Sequence, residues 1–336
     1  MNTSRGKSAT AGGGRRTGGS GRWPGRPGTV MRGVLQRRRP SRRGLARVLP
    51  LLRHPRYEVF PAGSAEEAVL EWVPRDVTVT VTASPARGLD ATLDLAGRLA
   101  GHGYQVVPHL PARLVRGDAH LAEIVARMTG SGITDVFVPA GDSDQPAGRF
   151  DSAVSLLDRL AAMGRPFPRV GVTGYPESHP RIGDDVTIQA MWDKRHHATY
   201  LVSNLCLDPA VLRRWIARVR ARGVTLPLYV GLAGPVDRAR LLRMAAVAGV
   251  TESARFLAGH TGWFVRAGLP GGYNPDRLLD RAAATLAAPE SAVAGLHFFT
   301  FNQVRQTEQW RSALLARLDP LAPAAAGRPA PGDQQG

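Results

Sequence analysis

From Arg56 onward, short runs rich in β-branched and aromatic residues alternate with longer stretches of helical period, the pattern of repeated βα units around a parallel sheet. Eight strands are predicted, at Tyr57 to Phe60, Asp76 to Thr82, Gln105 to His109, Asp135 to Ala140, Arg169 to Gly174, Tyr200 to Leu205, Leu228 to Leu232 and Gly295 to Phe301. Between them the period predicts helices over Ser64 to Trp72, Leu89 to Gly101, Ala119 to Thr129, Phe150 to Met163 and Pro209 to Arg222. Ser64 followed by Glu67 reads as a capping box, and Asp208 precedes a proline at a first-turn position. Eight units without an interdomain linker favour an α/β fold of the closed (β/α)8, TIM-barrel type over an open doubly wound sheet. The seventh connection, roughly 234 to 294, has room for two or three helices.

The pattern is missing at both ends. Residues 1 to about 43 are Gly, Arg, Ser and Pro with few apolar side chains, and 321 to 336 are again low in complexity; neither buries enough surface to offset ordering entropy. The expected division is a disordered tail over 1–45, a barrel domain over 46–320 and a second disordered tail over 321–336. Charge follows the same division. Residues 1 to 57 hold fourteen Arg and one Lys and no acid, whereas the rest has 29 basic and 27 acidic residues. The formal net charge of +17 therefore says little about what the barrel binds, and no specific nucleic-acid partner is inferred. Two lysines stand against 42 arginines, a bias that fits GC-rich coding, with Met31 a second candidate start. The opening segment lacks the apolar stretch of a secretory signal, and no apolar run is long enough to span a membrane. A single cysteine, Cys206, rules out an internal disulfide and provides no metal cluster; a cytoplasmic location and no membrane partner are expected.

In such barrels the chemistry sits at the C-terminal ends of the strands. Those positions are polar here: Glu58, Thr80 and Thr82, His109, Asp142, Tyr175 with Glu177 and His179, Asn204, Thr300 and Asn302. Convergence of polar groups from so many strands points to an enzyme. No GxGxxG, Walker A, HExxH or CxxC pattern is present, which argues against the commonest dinucleotide, nucleoside-triphosphate and metal chemistries.

The strings YEVFPAG (57–63), PHLPARL (108–114), VPAGD (138–142), GYPESHP (174–180), SNLCLD (203–208) and GLHFFTFN (295–302) follow the order and approximate spacing of the patterns FEFFPP, PHLT, RGD, YPExHP, TQxFFD and HFYTxN. On these six strings the chain resembles the methylenetetrahydrofolate reductase family over roughly Tyr57 to Leu318. The resemblance implies a one-carbon oxidoreductase acting on a CH–NH donor group. It would reduce 5,10-methylenetetrahydrofolate to 5-methyltetrahydrofolate with NADH or NADPH, in the supply of methyl groups for methionine. It implies FAD as cofactor and a reduced folate as partner. Glu58 matches the family's general acid, which protonates folate N10, and Asp142 the aspartate beside flavin and folate. Thr82, His109, Tyr175 and His179 fall beside the cofactor, and Asn204 and Phe299 beside the pterin. A carboxyl flanked by Tyr57, Val59 and Phe60 is expected to be desolvated and to hold its proton near neutral pH. For Asp142, His109 and Asn204 the residues alone leave ordinary turn, hydrogen-bonding and backbone roles open.

The chain departs from the family at cofactor-contact positions. The RGD arginine is Ala140, the Tyr of a TYGA pattern falls near Ala83, and the segment that carries a family Lys reads MWDKRHHA (191–198). Lys194, Arg195 or His196 would replace that cation only by a shift of register. Losing a cationic partner removes charge-assisted bonds to flavin phosphates. Direct hydride transfer from nicotinamide without flavin, the same chemistry run in reverse for demethylation, and a folate-binding barrel without redox activity stay open as alternatives.

Overall fold

A computed structural model of the chain describes residues 40–83, 87–177, 184–247 and 272–318. Two short helices, α1 (Arg42–Arg47) and α2 (Leu49–Arg53), lead into β1 (Arg56–Val59) and α3 (Ala65–Trp72). Then follow β2 (Thr78–Val81), α4 (Asp90–Gly101), β3 (Val106–Pro108), α5 (Asp118–Gly130), β4 (Asp135–Phe137) and α6 (Ala153–Ala162). The next units are β5 (Arg169–Gly174), α7 (Asp184–Lys194), β6 (Tyr200–Ser203), α8 (Pro209–Ala221) and β7 (Leu228–Ala233). The long seventh connection contributes β8 (Val236–Asp237), α9 (Arg238–Val247), β9 (Gly272–Tyr273) and α10 (Asp276–Leu286) before β10 (Val293–Phe299) and α11 (Val304–Leu318). All eight expected barrel strands are present, and β8 and β9 form a separate antiparallel pair.

The eight strands run in the order β3-β2-β1-β10-β7-β6-β5-β4, and every pairing between them is parallel. That order is the chain order read around a ring. The ring closes where His109 bridges to Phe137 and the Leu110 N–H donates to the Phe137 carbonyl at 2.8 Å. The fold is a (β/α)8 barrel of the TIM type.

Strand alternation divides the side chains between two cores. On β1, Tyr57 and Val59 join the large core between strands and helices, and the Tyr57 hydroxyl donates to Glu308 of α11 at 2.8 Å. Arg56 and Glu58 take the opposite face and enter the barrel. Inside, Val107, Phe137, Tyr200 and Val202 form a second, smaller apolar cluster. Gly171 makes room for it, since a Cβ there would lie 2.3 Å from the Tyr200 ring, while a Cβ on Gly231 would lie 2.1 Å from the Ser203 carbonyl oxygen, so glycine there lets β6 and β7 approach. Outside, α10 shows how the helices are held, with Leu278, Leu279 and Leu286 buried on one face, each worth about 1.5–3 kcal/mol.

The caps divide. Asp208 sits in the extended conformation and accepts from the Ala210 N–H at 2.8 Å ahead of Pro209. Ser64, expected in a capping box with Glu67, makes no side-chain cap bond. Its ψ of 29° turns it from the extended conformation that aims a capping oxygen at the first turn. The folded unit also reaches into the stretch assigned by composition to the tail. Ser41 caps α1 and donates to Asp280 at 2.6 Å, and Leu45, Val48 and Leu52 are buried. The remainder of the expected tails, residues 1–39 and 321–336, lies outside the described residues.

Candidate active site

Glu58 lies near the C-terminal end of β1 with its carboxylate inside the barrel, 8% exposed. Its Oε2 accepts from Nε2 of His297 on β10 at 3.1 Å, and Nε2 of His109, just past β3, stands 3.6 Å from the same oxygen. Both imidazoles are buried. His297 Nδ1 and His109 Nε2 find no hydrogen-bond partner among the described residues. Burial alone pushes the Glu58 carboxyl up, but the bond from His297 and the charges of His109 and His297 together leave it below its ordinary value. The elevation expected from apolar neighbours is therefore not found, because the faces that matter are imidazole. Burial, reinforced by His297 and opposed by Glu58, pulls His109 down to about 4. His109 is neutral at physiological pH.

The end of β1 is clamped by the turn after β10. Thr300 Oγ1 donates to the Glu58 carbonyl at 2.6 Å. Asn302 accepts from the Phe60 N–H at 2.8 Å and donates to the Phe60 carbonyl at 3.2 Å. Its φ of 58° is one that asparagine adopts more readily than most residues. Thr300 and Asn302 thus hold the backbone that carries Glu58.

The other expected residues distribute as follows. Phe299 faces inward beside His297, ring centroids 4.9 Å apart, and stacks on Phe301. Thr82 is half-buried; its N–H donates to the Val59 carbonyl at 3.0 Å, and its own carbonyl accepts from Thr92. Asp142 is exposed in the loop after β4. Tyr175, after β5, has its phenol raised first by burial and next by the negative charge of Asp142. Asn204 spends its carboxamide oxygen on the Leu205 N–H at 2.8 Å, the backbone role left open by sequence. His179 lies outside the described residues. Sequence reading missed His297, although it stands within GLHFFTFN. Strand parity carried the signal, since His297 and Phe299 share the inward face while Phe298 packs outward against Trp310.

Residues 64–259, more than half of the chain, match the family model described as methylenetetrahydrofolate reductase. The chain belongs to the methylenetetrahydrofolate reductase family. Glu58 and His297 stand outside the matched stretch and rest on the geometry above. Among solved structures, the chain is similar to the C-terminal domain of a putative chitinase from Desulfitobacterium hafniense DCB-2, with 11% identity over 79% of this chain and 99% of that one and a TM-score of 0.46. It is also similar to a putative lyase/mutase from Burkholderia cenocepacia J2315, with 18% identity over 83% of this chain and 89% of that one and a TM-score of 0.44.

Members of this family generally use a flavin, and the described residues do not fit its phosphates. Ala140 offers no cation. Arg113, whose N–H donates to the Ala140 carbonyl, spends Nε on the Asp151 carbonyl and Nη1 on those of Ser143 and Asp144. The segment that could have substituted lies at the wrong end of the barrel: Arg165, before β5, donates to the His196 carbonyl, and the Thr199 N–H donates to Val170 near the start of β5. Within it Lys194 is buried and held down to about 8 by desolvation. Arg195 folds 3.4 Å over the Trp192 ring.

Proposed function

We propose that this protein reduces 5,10-methylenetetrahydrofolate to 5-methyltetrahydrofolate with hydride taken directly from NADH or NADPH. The observation that carries the reading is the Glu58–His297 pair, buried at the C-terminal end of a barrel of this family. Opening the methylene bridge requires a proton at N10, which breaks the bond from N10 to the bridging carbon and leaves an iminium at N5. One hydride added to that carbon completes the methyl group. Glu58 delivers the proton. In the open site the bond from His297 favours the carboxylate; a pterin covering the mouth removes the last exposed edge of Glu58 and strengthens the burial that favours its neutral, proton-donating form. Asp142, Tyr175 and Phe299 frame the folate, and Asn204 shapes the same rim through its backbone bond.

The experiment is single turnover with a reduced nicotinamide deuterated at the transferable position, using protein as purified. Direct transfer places the full label in the product methyl group, in a protein without visible flavin absorption. A yellow protein, or a label diluted by solvent hydrogen exchanged on a reduced flavin, overturns the direct route. Absence of folate-dependent turnover overturns the function.

A further inference from the structure

Opposite the Glu58 site, the N-terminal ends of the strands surround a cavity of about 670 Å³. A barrel floor is ordinarily closed by apolar packing; this one is built of charge. Asp135 accepts from Arg56 Nη2 at 3.1 Å, from Arg169 Nε at 3.1 Å and from the Tyr200 hydroxyl at 2.6 Å, so both of its oxygens are committed. The Arg56 guanidinium lies between the rings of Tyr200 and Tyr229, 4.2 and 3.9 Å from their centroids. Arg56 lines the cavity and is only 3% exposed, yet its Nη1 has no hydrogen-bond partner among the described residues. At the rim, Arg75 packs over Tyr104 at 4.0 Å, while Asp76 faces His54 at 3.6 Å. Three arginines against two aspartates leave the lining positive.

A buried guanidinium N–H without an acceptor is costly, and an anionic oxygen is the acceptor that best offsets that cost. We infer that this cavity binds a small phosphate-bearing molecule, at a site separate from Glu58. A tetrahedral oxyanion accepts from several directions at once, which suits Arg56 in the floor and Arg75 and Arg169 at the rim. A planar carboxylate matches one fork at a time. The cavity volume leaves room for more than the phosphate group itself. The inference is independent of the reaction proposed above.

The test is thermal unfolding of the full chain titrated with inorganic phosphate, pyrophosphate, acetate and chloride at one fixed ionic strength. Saturable stabilisation by phosphate or pyrophosphate, and not by acetate or chloride, is expected. Arg75→Gln changes an exposed side chain, so the variant folds, and it should raise the dissociation constant about tenfold, the factor that one charge-assisted hydrogen bond represents. Arg169→Gln should weaken binding in the same direction. Equal stabilisation by all four anions, or phosphate binding unchanged in Arg75→Gln and Arg169→Gln, overturns the site whether or not the protein reduces folate.

Discussion

At the scale of single residues, the proposed chemistry and the expected acid sensitivity both turn on Glu58 and the two histidines around it. Glu58→Gln keeps the shape and still accepts from His297, but it has no proton to give. Single-turnover folate reduction is expected to fall by about 10²- to 10⁴-fold with the fold intact by circular dichroism. A variant that keeps most of the parent rate removes Glu58 from the mechanism. His109 makes a separate expectation. Its folded value of about 4 against an ordinary 6.5 means that the unfolded chain binds more protons between those limits. Its contribution to stability is therefore complete above pH 6.5 and is lost as the pH falls toward 4, on the order of 3 kcal/mol. Glu58, also depressed, loses stability in the same direction at lower pH. Urea unfolding across this range should show the loss, and His109→Gln should flatten it; an equally steep profile in the variant refutes the assignment. Glu58 was legible in the sequence because an acid within an apolar strand is conspicuous. His297 was not, because its neighbours Leu296, Phe298 and Phe299 read as plain core until strand parity is known.

At the scale of elements, the turn after β10 is the joint on which the site depends. Asn302 gives Phe60 both a donor and an acceptor, replacing a rung of sheet where β1 and β10 part. Asn302→Gly keeps the left-handed backbone at little strain but loses both bonds, and should cost about 1–3 kcal/mol. Asn302→Ala loses the bonds and adds backbone strain of about 1 kcal/mol or more. Denaturant unfolding should therefore rank parent above Gly above Ala. If the Ala variant matches the parent, the clamp contributes nothing. Element positions were readable from sequence because barrel strands alternate with amphipathic helices at regular intervals. Caps were less so: Asp208 and Ser64 looked alike in sequence, and only the backbone dihedrals, set by how the chain leaves the preceding strand, separate the one that caps from the one that does not.

At the scale of the whole molecule, much of the charge that dominates composition lies outside the described residues. Residues 1–39 hold ten basic side chains and no acid. Ser41 and Leu45 belong to the barrel instead, through the α1 cap, the bond to Asp280 and burial in the core. The sequence blurred this boundary because Arg42, Arg43 and Gly44 continue the composition of the preceding residues into α1, whose one buried side chain is Leu45. Two truncations separate the readings. Removal of 1–39 should leave the unfolding transition and folate turnover unchanged while lowering retention on a cation exchanger, and any salt-sensitive binding to nucleic acid should disappear with it. Removal of 1–45 takes the Ser41 cap and the Leu45 side chain as well, which together should cost about 2–5 kcal/mol. If both truncations unfold with the parent, α1 is not part of the fold; if the shorter one already loses turnover, the basic segment acts on the barrel and the two cannot be treated as separate.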